Sequence, residues 1–267
     1  MNSSFIKVES SCELEQCNPS DNIVLVSDIE FEYPTTVFER FTGVLDGNGH
    51  EISGIYSTGE EKVGGLVNVL DGGTIKNIDI GTTVECQNVG GGVVGESKEG
   101  VLQNISCHGV ITGKNTVGGL VGINNGIITM SSFEGKIFGE KHVGGISGVN
   151  YHKIKECYSE GEITPRQSKL QETGGIAGRV LNGTVRSCLS TVFCPVDIDI
   201  GGVAGQIRSA TIKQSYNPFY QTYDTSVAFV DHPTLEANTK QNLPVHYQTK
   251  LKNKAKMVVV RSISYNL

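Results

Sequence analysis

One pattern recurs six times along this chain: a Gly-Gly pair, an aliphatic residue, a small or branched residue and, in five copies, a third glycine. The copies begin at Gly64, Gly91, Gly118, Gly144, Gly174 and Gly201, so the steps are 27, 27, 26, 30 and 27 residues. Self-similarity at a fixed period of this size is the mark of a solenoid, in which no repeat can bury its apolar face alone. The one long step contains Pro165-Arg166-Gln167-Ser168-Lys169-Leu170, a polar stretch that reads as a loop insertion.

Further columns follow each glycine pair. Nine or ten residues on come Ile75, Leu102, Ile128, Ile154, Val185 and Ile212. Three later come Ile78, Ile105, Ser131, Cys157, Cys188 and Ser215, and two later Ile80, Cys107, Phe133, Ser159, Ser190 and Asn217. A last column holds Val84, Ile111, Ile137 and Ile163, with Val192 near the equivalent place. A coil of about 27 residues is the length of three short strands and three turns. Glycine is abundant (34), proline scarce (7) and tryptophan absent, which suits short strands and tight turns. Stacked coils pair each strand in parallel with its equivalent about 4.8 Å away, so equivalent residues form ladders inside. The fold expected is all-β: a right-handed parallel β-helix with three strands per coil, the hand following from the rule for parallel crossovers. The Gly-Gly marks either a turn with φ > 0 or a close backbone approach. A phosphate-cradling loop would instead open a helix.

Upstream lie Asp28-Ile29-Glu30-Phe31 and then Phe41-Thr42-Gly43-Val44-Leu45-Asp46-Gly47-Asn48-Gly49-His50-Glu51-Ile52-Ser53-Gly54-Ile55. This opening, followed by Gly-Gly-Leu-Val-Gly repeats, resembles the GLUG-motif β-helices over about residues 5–217. Such repeats occur in bacterial surface and adhesin-like proteins and in the non-catalytic repeats of IgA-cleaving metallopeptidases. The resemblance implies a β-helix and a surface or secreted location, and it specifies no activity. Within the opening, Asp46-Gly47-Asn48-Gly49 reads as a turn, since it lacks the spacing of a calcium loop.

The chain divides into an N-terminal cap and lead-in strand (1–35), the GLUG-type β-helix (36–217) and a C-terminal cap or interaction segment (218–267). Ser10 and Glu13 fit a capping box, with Leu14 and Cys17 on one face of a short helix. Residues 215–267 carry six Lys/Arg against three Asp/Glu, a local +3 in a chain of net charge −6. There Lys250, Lys252, Lys254 and Lys256 alternate on one face of a strand, which guards an edge or offers a basic contact surface. Tyr216 to Tyr223 reads as a cover for the last coil or a surface for homo-oligomer formation. No apolar run is long enough to span a bilayer. Met1–Lys7 does not read as a secretion signal, which points to an intracellular or viral setting and away from the location the resemblance implies. The seven cysteines include no C-x-x-C pair and read mostly as buried free thiols.

The outside of the coil is where function has to be sought. The residue after each member of the Ile75 column points out: Lys76, Gln103, Thr129, Lys155, Arg186 and Lys213. Four of these six are basic and form a candidate ribbon for an anionic partner. Tyr158, Leu189 and Tyr216 form a companion outward column that stacks on a ligand or packs under a loop. Polysaccharide lyases and hydrolases with this fold class need acidic clusters on one face. Asp and Glu are not expected to recur in one column: Asp79 falls with Ser106, Ser132 and Tyr158. Asp197 and Asp199 form the best isolated acidic pair, and the six histidines show no ligand spacing. No catalytic residue, metal or cofactor is expected. The leading expectation is a non-catalytic binding or scaffold module for a protein or glycan partner, nucleic acid being disfavoured. The alternatives are a carbohydrate-active β-helix enzyme and a viral or phage attachment or host-factor-binding protein.

Overall fold

A computed structural model describes residues 4–33, 36–56, 62–166, 172–195, 200–215 and 217. Residues 167–170 of the insertion, Asp197, Asp199, Tyr216, and the C-terminal segment with Lys250, Lys252, Lys254 and Lys256 lie outside the described residues.

The described strands form a parallel β-solenoid of about six turns. They fall into three sheets, of 14, 7 and 5 strands, and each strand pairs in parallel with its equivalent in the next coil. The predicted inward columns are ladders in register. Leu45, Ile75, Leu102, Ile128, Ile154, Val185 and Ile212 are successive partners, and Ile23 extends the ladder one coil below. All are buried. Ile80, Cys107, Phe133, Ser159 and Ser190 are likewise consecutive partners. In the last column Val84, Ile111, Ile137 and Ile163 are in register, but Val192 pairs with Gly161 and so stands two residues out of place.

The Gly-Gly resolves as close approach. None of the paired glycines has positive φ among the described residues. A Cβ on Gly118 would lie 2.1 Å from the Val121 carbonyl oxygen, and one on the third glycine, Gly122, would lie 2.5 Å from Val89 Cγ1. The glycine strand of one coil therefore crosses over the third glycine of the next, leaving no room for side chains. One register differs from the repeat: Val63-Gly64 pairs with Val89-Gly90, not with Gly91, since three consecutive glycines at 90–92 allow either alignment.

The positive-φ positions lie elsewhere. The largest sheet is creased where Asn77, Asn104, Met130, Glu156, Ser187 and Gln214 each adopt φ between 50° and 57°. The crease gives the coil an extra corner beyond its three sheets. Asn suits the left-handed region best, and the amide of Asn104 donates to Asn77 Oδ1 at 3.0 Å. Further up, the residue just after the crease takes over. Ser131 Oγ donates to the Thr129 carbonyl at 2.8 Å and accepts from the Ile105 N–H at 3.1 Å. Cys157, Cys188 and Ser215 make the same bond to the carbonyl two residues back. That column is small and polar in the upper coils because its atoms bridge the corner backbone.

The N-terminus follows the same logic. Ile6–Val8 and Asn22–Leu25 already stack in the 14-stranded sheet, and between them runs the helix Ser11–Gln16. Ser10 Oγ accepts from the Glu13 N–H, while the Glu13 carboxylate reaches back to the Glu9 N–H at 2.8 Å, one residue beyond the Ser10 N–H that a full capping box uses. Leu14 is buried in the core and Cys17 half-buried against it. Asn48 and Gly49 have φ of 53° and 85°, and the Asn48 N–H donates to Asp46 Oδ1, so this segment is the expected turn. No disulfide joins the seven cysteines, and most are buried as expected: Cys86, Cys107, Cys157 and Cys188, with Cys17 and Cys194 half-buried and Cys12 exposed. Burial pushes the Cys107 and Cys157 thiols up, which keeps them protonated and inert.

Candidate cationic face

The strands before the crease expose two residues each on either side of their buried central one. The predicted outward ribbon is one of these columns: Lys76, Gln103, Thr129, Lys155, Arg186 and Lys213 are partners in unbroken register. Asp46 continues it one coil below. The second column contains Val44, Thr74, Val101, Ile127, Lys153, Thr184 and Thr211. Lys153 is exposed and was missed by a reading that looked only at the residue following each buried one. Period-two alternation places it on the same face as Lys155.

The two ends of the ribbon differ. Lys76 Nζ lies 3.1 Å from Asp46 Oδ2. Partial burial would push the Asp46 carboxyl up. Hydrogen bonds from Asn77, Lys76 and the Asn48 N–H, together with the Lys76 charge, outweigh it and hold Asp46 below the usual range. At the other end Lys153, Lys155, Arg186 and Lys213 occupy three adjacent coils with no acidic residue in either column. Only Lys155 has an acidic partner among the described residues, Glu156 at the crease, 2.8 Å away. Arg186 Nε donates to Gln214 Oε1 at 3.5 Å, and Ser187 Oγ donates to the same oxygen at 3.3 Å. Lys155, Glu156, Arg186, Ser187 and Gln214 line an open groove of about 240 Å³ along this edge.

Of the companion column, Tyr158 is not exposed. It pairs with Leu189 and Ser132 and is 3% accessible. Its hydroxyl lies 2.5 Å from Glu160 Oε2 and 2.8 Å from Thr191 Oγ1. The ring is consumed by packing and cannot stack on a ligand. Tyr216 lies outside the described residues.

Beyond the crease the same sheet turns acidic. Asp79, Ser106, Ser132 and Tyr158 share a column, as expected. The expectation that acids never recur in adjacent coils fails one column over: Glu134 and Glu160 are direct partners, with His108 below Glu134. These positions lie within a strand anchored on Phe133 and Ser159, so period two carries both carboxylates outward. Glu162 in the next column pairs with Lys136 at 3.4 Å. No group of three His, Cys, Asp or Glu side chains among the described residues is arranged to hold a metal ion, and no described helix is long and apolar enough to cross a membrane.

No family model matches the chain, and no curated protein matches it. Its fold is similar to that of a crystal structure described as a "putative immunoglobulin A1 protease from Bacteroides ovatus". The TM-score is 0.61 at 14% identity, over 85% of this chain and 80% of that one. At that identity the likeness is one of fold.

Proposed function

We propose that the chain is a non-catalytic binding module of the GLUG-repeat kind, taking a protein or glycan partner on its outer cationic face. One observation carries this reading: four cations and no acid occupy both outward columns over three adjacent coils. The molecule as a whole is acidic, with 28 Asp/Glu against 22 Lys/Arg. An interior ladder dictates nothing about what points out, so a patch opposed to the net charge is a feature of recognition. The C-terminal lysines Lys250, Lys252, Lys254 and Lys256 belong to the same reading as a second basic surface, and the segment 218–267 as a place for self-association.

The test is a binding panel of anionic glycans and acidic proteins, run beside an assay for reducing ends and unsaturated products. Salt-sensitive binding without turnover is the expected result. Turnover, or binding untouched by reversing Arg186 and Lys213 to Glu, overturns it.

A second reading, a glycan hydrolase, draws support from the Glu134–Glu160 column. Neighbouring strands lie about 4.8 Å apart, close to the separation of the two carboxyls in retaining glycosidases. It predicts turnover that Glu134→Gln or Glu160→Gln abolishes.

A further inference from the structure

The column just behind the crease holds Ser131, Cys157, Cys188 and Ser215 in successive coils. Each side chain bonds the carbonyl two residues back. The two serines also accept a backbone N–H from the coil below, Ser131 from Ile105 and Ser215 from Cys188. A hydroxyl therefore meets every demand of this corner, and its hydrogen bonding does not ask for sulfur. Sulfur nevertheless stands in two adjacent coils. We infer that Cys157 and Cys188 are a disulfide site, a covalent staple between the two coils that carry Lys155 and Arg186.

Register places the pair. Lys155 pairs with Arg186 before the crease and Tyr158 with Leu189 after it, at the same offset, so Cys157 and Cys188 stack directly. The Glu156 N–H donates to the Arg186 carbonyl and the Leu189 N–H to the Cys157 carbonyl, both at 3.0 Å, so the coils do not slip at the crease. Neighbouring parallel strands hold partner Cα atoms about 4.8 Å apart, inside the range of about 4.4–6.8 Å that a disulfide spans. The two thiols already share a hydrogen bond. No other two cysteines share a column among the described residues; Cys107 lies between Ile80 and Phe133. Closing the bond leaves no carbonyl bare. That of Lys155 keeps the Met130 N–H and that of Arg186 keeps the Glu156 N–H.

The chemistry is thiol–disulfide exchange with a low-molecular-weight disulfide such as oxidised glutathione. One cysteine thiolate attacks it, releasing one glutathione thiol and leaving a mixed disulfide. The second cysteine displaces the other glutathione. Two S–H bonds give way to one S–S bond, and the two electrons and two protons leave on two reduced glutathiones. Both cysteines are buried and burial keeps the Cys157 thiol protonated, so the folded coil neither admits the oxidant nor offers it that thiolate. Exchange belongs to folding, before the corner closes, and the redox state met then is locked in.

The test is refolding of the full chain, denatured and reduced, in a glutathione redox buffer or in reductant alone, followed by alkylation, proteolysis and mass spectrometry. Oxidative refolding is expected to yield peptides joined through Cys157 and Cys188, with the other five cysteines alkylated. It is expected to raise the thermal unfolding midpoint by about 5 °C or more, as closing a loop of this size should. Cys157→Ser/Cys188→Ser, which carries the residue of the flanking coils, is expected to fold and to show no such rise. Chain folded under reductant and then given oxidised glutathione is expected to keep both thiols; a link formed there overturns the confinement to folding. The site itself is overturned if oxidatively refolded chain, native by circular dichroism, lacks the link, carries glutathione in its place or is joined through another pair. It is equally overturned if the link forms only in chain that has lost its β-sheet spectrum, or leaves the midpoint where it was.

Discussion

The face in front of the crease is one surface with two chemistries. Its lower coils present Val44, Asp46, Thr74, Lys76, Val101, Gln103, Ile127 and Thr129, with one cation and one acid that pair with each other. Its upper three coils present Lys153, Lys155, Arg186 and Lys213, with only Thr184 and Thr211 between them. The buried ladder behind both halves is the same aliphatic column, from Leu45 to Ile212. The fold therefore neither asks for the upper cations nor excludes them. Two unit charges about 4 Å apart in water repel by roughly 1 kcal/mol. The lower half is electrostatically relaxed, and the upper half is held against repulsion by a backbone stabilised elsewhere. A surface that a fold tolerates but does not require is where recognition is written.

The sharpest way to break this comparison is to reverse charge in each half. Arg186→Glu with Lys213→Glu is expected to weaken binding of an anionic oligomer by roughly 30- to 150-fold, at about 1 to 1.5 kcal/mol per reversed contact. Lys76→Glu is expected to leave affinity within about twofold. It stands three coils from Lys155, roughly 14 Å, beyond the screening length at physiological salt. Titration of both variants decides it: equal losses would mean that net charge, not the upper half, governs binding.

The converse change builds the upper chemistry into the lower half. Ile127→Lys with Thr129→Lys adds one cationic coil next to Lys153 and Lys155. Both residues are half-buried and point outward, so the aliphatic stems of lysine can cover the same surface. Affinity for an anionic oligomer long enough to reach the added coil is expected to rise by about three- to tenfold, with a steeper salt dependence. Unchanged affinity would show that something besides the cation column positions the ligand.

Much of this was legible in the residues alone, for a physical reason. A ladder position must suit every coil at once, so six-fold repetition exposes the inward columns, and the outward ribbon follows by alternation. The crease was not legible. Its left-handed residues are Asn, Asn, Met, Glu, Ser and Gln, not glycine, and the stack of corners imposes a conformation that Met130 and Glu156 do not prefer. The glycines that do repeat serve close packing, which sequence could not separate from positive φ. The register of Glu134 with Glu160 was missed because only the first outward column after the crease, that of Asp79, was followed from coil to coil. Tyr158 was misjudged because a nominally outward aromatic on a creased sheet can be covered by its own neighbours, Leu189 and Glu160.

The lower half yields a stability prediction. Removing Lys76 strips Asp46 of its cation, and Lys76→Ala is expected to lower stability by about 0.5 to 1 kcal/mol at neutral pH, measured by denaturant unfolding. The pH dependence carries the sign. Asp46 titrates below its ordinary value in the folded chain, so its contribution is fully present above the unfolded carboxylate pKa of about 3.9. It is lost as pH falls through the lowered native value. Lys76→Ala is expected to reduce that acid-side loss, since part of the depression comes from Lys76 itself. No matching dependence is expected on mutating Arg186 or Lys213, which have no carboxylate partner among the described residues.

The smallest effect is the most discriminating. If the upper cations are held against mutual repulsion, neutralising the middle one relieves both neighbours. Arg186 sits between Lys155 and Lys213 in the register, and its contact with Gln214, at 3.5 Å, is too long to offset that repulsion. Arg186→Gln is therefore expected to raise stability by a few tenths of a kcal/mol at low ionic strength, and salt should erase the gain. The same variant is expected to bind an anionic oligomer less well. Stability and affinity moving in opposite directions from one substitution is the behaviour of a residue kept for its ligand. Were Arg186→Gln to destabilise the fold, the upper cations would be structural, and the two halves of the face would differ only in which partners they use to pack.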